Sequence, residues 1–146
     1  MTKGPIKVSD NPTSEEIEEF FKNDTFAYGR VGCRITEAWR GHGVAELDLE
    51  DHHCNAEHNV MGGVIFTLAD YAFAAATMCG EASSTTLTST IEFMRATKSG
   101  KLTATCDLDR AGRKVGFYTT DVHDDKGNLV ARVVATCYRP IEADRD

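Results

Sequence analysis

The spacing of hydrophobic residues changes twice along the chain, and each change predicts a different kind of element. Two strand-like stretches, 28–39 and 43–50, are separated by the turn-prone residues 40–42. Residues 64–79 are apolar on all sides, too long for an ordinary strand and rich in alanine. They predict a helix enclosed by the rest of the protein, and the pair Gly62-Gly63 opens it.

After Gly80 hydrophobic and polar residues alternate along the chain. This alternation predicts four further strands, with turns at residues 110–113 and 124–128. Because the connections between consecutive strands are short, an antiparallel meander is favoured.

The first part of the chain predicts a short helix over residues 14–22. Thr13 and Glu16 have the spacing of a capping box, and Ile17, Phe20 and Phe21 form an apolar stripe. The predicted fold class is α+β, a six-stranded antiparallel sheet curled around one long helix between strands two and three. Residues 1–12 and 141–146 are expected to be loose ends.

Composition narrows the class of protein. A chain of 146 residues predicts a single domain over residues 1–146, with its core at about 26–140. A net charge of −7 disfavours nucleic acid as a partner. No apolar run reaches the length of about 20 residues that a membrane span needs, and the N-terminus lacks a signal-peptide pattern. Five widely spaced cysteines indicate free thiols and a cytoplasmic location.

Asp70 is the most informative candidate for chemistry. It is the only charged residue between Gly62 and Gly80, and helical spacing surrounds it with mostly apolar neighbours. Burial there would raise the pKa of its carboxyl group towards the range of a general base. The alternative is a carboxylate that simply points out from an exposed stripe.

Two groups before the helix are candidates for binding a carbonyl oxygen. The first amides of a helix have no partner inside it, and glycine at Gly62 and Gly63 lets a ligand approach them. Asn55 has a side-chain amide for the same purpose, although a loop asparagine more often fixes its own turn.

The loop before the helix also contains His52, His53, Cys54 and His58. Their spacing matches no structural zinc site and no second ligand pair follows, so polar loop residues are favoured over a metal site. Cys54 as a nucleophile is a further, weaker alternative. Five of the 16 basic residues lie close together in the sequence: Arg95, Lys98, Arg110, Arg113 and Lys114. Such a set could bind phosphate groups, but it is also typical of an ordinary protein surface.

The run from Asn55 to Asp70, with Gly62-Gly63 between them, resembles the signature of hot-dog-fold acyl-CoA thioesterases of the phenylacetate-degradation (PaaI-like) branch. The similarity continues through residues 90–95, 110–113 and 127–131 and covers about residues 30–139. It implies a curved sheet around a long central helix, an acyl-CoA substrate, no metal and no bound cofactor. It also implies a homodimer or a homotetramer built as a dimer of dimers.

The resemblance also implies roles for individual residues. Asp70 would activate water or attack the thioester, and Asn55 and the Gly62 amide would polarise its carbonyl group. Thr86 would orient water. Met61, Gly63, Arg95 and Arg113 are the expected substrate-binding residues. Met61 departs from the family, which usually has histidine there, and this departure bears on rate and substrate class.

Helix geometry adds a constraint. Gly62 and Asp70 are eight residues apart, so they stand about 12 Å apart along one helix. Both cannot reach one carbonyl group, so a site that uses both must combine two chains. The leading hypothesis is thioester hydrolysis at such a shared site. The alternatives are an acyl-CoA-binding protein without activity and a hot-dog hydratase or dehydratase.

Overall fold

The computed structural model describes residues 8–80, 84–98 and 100–139. Within these ranges a six-stranded antiparallel sheet curves around one long helix, which confirms the predicted α+β class. The helices are α1 (Ser14–Phe21) and α2 (Gly62–Met78), with a π-helical turn at Ala27–Val31 and a 3-10 turn at Asp51–His53. The strands are β1 (Arg34–Trp39), β2 (His42–Asp48), β3 (Thr85–Phe93), β4 (Lys101–Ala111), β5 (Val115–Asp124) and β6 (Leu129–Tyr138).

The capping box that predicts α1 is present. The Thr13 hydroxyl accepts a hydrogen bond from the Glu16 amide, and the Glu16 carboxylate accepts one from the Thr13 amide. The expected loose end is wrong for residues 8–12: Val8 is buried and bridges to Cys79. Residues 1–7 and 141–146, the rest of the expected loose ends, lie outside the described residues.

The first predicted strand is wrong over residues 28–33. The Asp24 carboxylate accepts hydrogen bonds from the amides of Phe26 and Ala27, which winds the chain into the π-helical turn. The turn ends at Gly32, whose φ of +92° lies in the region that favours glycine. Strand β1 therefore begins only at Arg34.

The strand order β1-β2-β4-β5-β6-β3 departs from the predicted meander at one strand. Strand β3 pairs with β6 at the far edge of the sheet, because the chain crosses the whole inner face as α2 before returning. The chain then returns to β4, which begins at Lys101. The hairpin predicted at 110–113 is shifted, since β4 continues to Ala111.

Small residues bring α2 very close to the sheet. A Cβ atom on Gly43 of β2 would lie 2.9 Å from the Cβ of Ala75 and 2.8 Å from the Ala76 amide nitrogen. The helix packs on the inner faces of β1, β2, β4 and β5. Among the described residues, no helix is long and apolar enough to cross a membrane.

One side of α2 remains uncovered, contrary to the expectation of complete enclosure. Residues Gly63, Thr67, Asp70 and Ala74 follow one another at helical spacing on the side away from the sheet, and none of them is buried. We call these four residues the open stripe.

Candidate active site

The loop before α2 is closed at its base by backbone pairing. Cys54 and Val60 form an antiparallel bridge, and the Met61 amide donates to the carbonyl oxygen of His53 at 2.9 Å. The Val60 amide also donates to Thr97 in the segment that follows β3. The loop is therefore joined to the end of β3 as well as to its own base.

Asn55 fixes its own turn and still has a free donor. Its side-chain oxygen accepts hydrogen bonds from the amides of Glu57 at 2.9 Å and Asn59 at 3.2 Å. This is the local role that sequence favoured. The same bonds orient the amide group, whose nitrogen has no acceptor among the described residues and can donate to a ligand.

Helix α2 begins with bare backbone amides. Met61 is its N-cap and provides no side-chain hydrogen bond, and its carbonyl accepts from the Val64 amide at 3.0 Å. Within the described residues the amides of Gly62 and Gly63 have no acceptor. They lie at the positive end of the helix, where an oxygen carrying negative charge is favoured.

Asp70 lies on the open stripe and is exposed in the single chain, so the expectation that it is buried is wrong. The stripe faces away from the sheet, and no described residue covers the Asp70 side chain. The carboxyl group is nevertheless partly shielded by surrounding protein atoms, and this loss of hydration raises its pKa above the ordinary value. The negative charge of Asp24 raises it further.

Strand β3 has a bulge that separates two hydroxyl groups. Because the register shifts between Thr86 and Thr88, Thr86 pairs with the buried Cys137 on the inner face, whereas Thr88 pairs with Thr136 on the outer face. The Thr88 and Thr136 hydroxyls are 2.7 Å apart. Strict alternation along β3 would place both threonines on one face, and the bulge separates them.

Phe93 was not identified as a candidate from sequence. It is the last residue of β3, pairs with Ala131 on the inner face, and its ring contacts Gly62. A strand pattern marks such a phenylalanine only as apolar. The contact depends on the pairing of β3 with β6, for which the sequence gives no signal.

Two grooves adjoin the start of α2. One of about 330 Å³ is lined by Gly62, Ile65 and residues 93–97. A second of about 310 Å³ shares residues 95–97 with the first and is also lined by Lys98, Lys126 and Asn128. The Arg95 guanidinium donates to the Asn128 side-chain oxygen at 3.3 Å. The second groove therefore brings basic side chains close to Asp124 and Asp125, which also line it.

The basic residues grouped in the sequence lie in two places. Arg95 is near the turn after β5, whereas Arg113 lies in the turn before β5. Strand β5 has ten residues, so these turns are about 30 Å apart. One chain therefore does not bring Arg95 and Arg113 to the same ligand.

The histidines and Cys54 do not form a group of metal ligands within the described part of the chain. No three His, Cys, Asp or Glu side chains within residues 8–80, 84–98 and 100–139 are placed to hold a metal ion. His53 is buried, and both of its ring nitrogens have partners in the protein backbone. The Cys54 thiol lies 3.9 Å from the carbonyl oxygen of Lys98.

Comparison with known proteins identifies relatives of the whole fold. A protein of Archaeoglobus fulgidus described as a candidate esterase is 31% identical over 127 residues, 86% of this chain and 82% of that protein. The acyl-coenzyme A thioesterase PaaI of Escherichia coli is 29% identical over 118 residues, 80% of this chain and 84% of that enzyme.

Solved structures show the same architecture. The structure of Escherichia coli PaaI superposes with a TM-score of 0.80 at 23% identity and covers 87% of this chain and 93% of its own. A hypothetical thioesterase of Streptococcus pneumoniae, solved with coenzyme A, has a TM-score of 0.75 at 22% identity. The match covers 85% of this chain and 96% of that protein. At these identities the likeness establishes the fold.

The family model described as the thioesterase superfamily matches residues 57–131, which include the start of α2, Asp70 and strands β3 to β5. This match agrees with the relatives found by sequence and with the hot-dog architecture. The chain belongs to the thioesterase superfamily, as a member of its PaaI-like hot-dog family.

Proposed function

We propose that this protein hydrolyses acyl-CoA thioesters at a site shared between two copies of the chain. One observation carries the proposal: Asp70 lies on the uncovered stripe of α2, two helical turns from the bare Gly62 amide. The helix rise separates these residues by about 12 Å, too far for one carbonyl group. A second copy facing the open stripe supplies the missing half of each site.

The proposed chemistry divides between the two halves. Asp70, with its raised pKa, takes a proton from water or attacks the thioester carbon. The Gly62 amide and the Asn55 side-chain amide donate to the oxygen as negative charge grows on it, and one such donor contributes about 3–4 kcal/mol in known cases. Thr86, on the inner face of β3, orients the water. No metal or resident cofactor takes part.

The exposed surfaces support an association of two copies. Strand β3 lies at the edge of the sheet, and no other described strand pairs with its outer side. Leu87 and Phe93 on this strand are each 54% exposed, and Met61 beside it is 57% exposed. We propose that a second copy covers this edge and the open stripe together, giving a homodimer or a homotetramer built from two dimers.

The coenzyme A portion suits the two grooves beside α2. Gly62, where the thioester would lie, lines the first groove. Arg95, Lys98 and Lys126, whose charges would attract phosphate groups, line the second beside Asp124 and Asp125. The Streptococcus pneumoniae relative, solved with coenzyme A, supports a ligand of this class. Arg113 can take part only from another chain, because it lies at the opposite end of β5.

The location that we propose is the cytoplasm. None of the five cysteines, all of which lie in the described residues, forms a disulfide, and four of them are buried. A reducing compartment suits unpaired thiols and is where acyl-CoA substrates would be met.

A thiol-release assay over a panel of aliphatic and aromatic acyl-CoAs tests the proposal. We expect release of free coenzyme A that survives chelator treatment and the substitution Cys54→Ala. Tight binding without thiol release would favour a binding protein instead. Loss of an enoyl-CoA chromophore without thiol release would favour a hydratase, and a large loss of activity in Cys54→Ala would favour a cysteine nucleophile.

A further inference from the structure

His53 is a buried ionisable residue for which the proposed chemistry has no direct use. It is 2% exposed. Its Nδ1 atom accepts a hydrogen bond from the Glu50 amide at 3.0 Å, and its Nε2 atom lies 2.7 Å from the carbonyl oxygen of Val31. An amide only donates and a carbonyl only accepts. In this arrangement Nδ1 is therefore the acceptor and Nε2 the donor.

This bonding leaves no lone pair for a metal ion or for a substrate proton. Both nitrogens are used by backbone groups, one of them 22 residues earlier in the chain. Through these two hydrogen bonds the ring connects Val31, at the end of the π-helical turn, to the turn at residues 50–53.

The backbone of His53 extends the connection to α2. Its carbonyl oxygen accepts a hydrogen bond from the Met61 amide at 2.9 Å, and the carbonyl of Met61 accepts from the Val64 amide in the first turn of α2. His53 thus lies between Val31 on one side and the residue that precedes Gly62 on the other. It also lies two residues before Asn55.

We infer that His53 is a positioning residue that holds the Gly62 amide and Asn55 in the geometry required to bind the thioester oxygen. The inference rests on the proposed function. Donors that act on an oxyanion must be held in place before the reaction, because a displacement of about 1 Å can lower the rate by about 10²-fold. Hydrogen bonds from a buried side chain to two backbone segments provide that restraint.

The test compares two substitutions of His53. His53→Leu introduces an apolar side chain and loses both ring bonds, whereas His53→Gln introduces an amide group that can donate to the Val31 carbonyl oxygen. We expect kcat of His53→Leu to fall by about 10- to 100-fold with KM changed less than about threefold. The reason is that the displaced donors, the Gly62 amide and Asn55, act on the thioester oxygen in the transition state. His53→Gln should recover part of kcat.

Amide hydrogen exchange gives a second measurement that does not depend on activity. In His53→Leu the Glu50 and Met61 amides should exchange faster, while amides of the central strands, such as Ala104 and Val122, keep their protection. Thr120→Val is the matched control. It removes a buried hydroxyl that bonds Cys106 beneath the helix, and it should lower stability without changing kcat.

A cycle with Asn55→Ala separates positioning from general destabilisation. If His53 acts in part through Asn55, the double variant should be slower than Asn55→Ala by a smaller factor than His53→Leu is slower than wild type, because only the Gly62 amide is left to misplace. More than half of wild-type kcat in folded His53→Leu, or fully additive losses in the cycle, would overturn the inference. A wild-type protein that releases no thiol would instead reject the proposed function. The rate of hydrogen exchange at the Met61 amide, compared between His53→Leu and wild type, would then decide alone whether His53 holds this loop.

Discussion

A Cβ atom on Gly62 would lie 3.0 Å from Cζ of Phe93, so the first residue of α2 touches the ring at the end of β3. The ring is half exposed and can move. We expect Gly62→Ala to stay within about 1 kcal/mol of wild type in free energy of unfolding, because the helix propensity of alanine offsets the crowding. The added methyl and the displaced ring would block the approach to the amide, so kcat/KM should fall about tenfold or more.

Gly29→Ala is the matched control for this substitution. Gly29 also lies in a helical turn, and its added Cβ would make only an ordinary contact, 3.7 Å from the Asp24 carbonyl oxygen. Denaturant unfolding and steady-state kinetics on both variants separate the effects. Unchanged kcat/KM in folded Gly62→Ala would contradict a substrate oxygen at this amide.

Asp70→Asn keeps the shape of the side chain and removes the base. We expect kcat to fall by at least about 10²-fold with little change in KM, as loss of a general base usually produces. Retention of more than half of wild-type kcat would remove Asp70 from the mechanism.

The same substitution should stabilise the protein at neutral pH. The pKa of Asp70 is raised in the folded state, so the ionised carboxylate opposes folding at every pH above that folded pKa. The free energy of unfolding of Asp70→Asn should exceed that of wild type at pH 7. The difference should disappear as the pH falls below the ordinary range for aspartate. Urea unfolding at several pH values measures it.

Asp24 influences Asp70 from outside the open stripe. Its negative charge contributes to the raised pKa of Asp70, after loss of hydration. In Asp24→Asn the side-chain oxygen that binds the Phe26 and Ala27 amides is retained. We therefore expect this variant to fold, and the acid limb of its pH profile of kcat/KM to move to lower pH. Asp109→Asn, on the outer face of β4, should leave the limb in place, and an equal shift in both variants would exclude a specific effect of Asp24.

Local patterns predicted the elements better than their arrangement. The capping box at Thr13 fixed the start of α1, and the alanine-rich run predicted α2, because both signals lie within a few residues. The place of β3 could not be predicted in this way. Its pairing with β6 joins Thr86 to Cys137, about 50 residues away, and alternation on either strand is compatible with several neighbours.

The candidate site shows the same division. The spacing of Asn55, Gly62 and Asp70 is visible in the sequence, and all three residues were predicted as site candidates from it. The exposure of Asp70 was mispredicted because a helix that is apolar on nearly all sides gives no sign that one stripe stays open within the chain. The bulge after Thr86 and the bonds of His53 depend on contacts between distant segments, which periodicity does not describe.

His42 should make stability depend on pH. Its ring nitrogens contact Asp107 at 2.6 Å and Glu37 at 3.2 Å. Partial burial lowers its pKa, but the two carboxylates outweigh this effect and the net pKa is raised. The stabilisation is therefore fully present below the unfolded pKa of about 6.5 and is lost as the pH rises through the folded pKa.

The measurement is urea unfolding of wild type and His42→Gln over this range. We expect wild type to be the more stable protein at pH 6 and the difference to shrink by pH 9. A difference that is constant with pH would mean that His42 contributes through its stacking on Trp39, 4.1 Å between ring centroids, and not through its charge.

Mixing two inactive variants tests whether each site combines two chains. Asp70→Asn and Asn55→Ala are prepared separately, and each is expected to be nearly inactive. In a mixed dimer one site carries both lesions. The other combines an intact Asp70 with the intact Asn55 of the partner subunit, and it should hydrolyse the substrate.

Random pairing makes half of the dimers mixed, and each mixed dimer has one intact site of two. Co-refolding the two variants should therefore restore activity to about a quarter of wild type. Sites built within one chain would each keep a lesion, so mixing would restore nothing. Mass spectrometry of the native dimers confirms that mixed species form, and verified mixed dimers without activity would reject the shared site. Mixing Asp70→Asn with Asp70→Ala is the matched control, because no pairing of these chains contains an intact carboxylate.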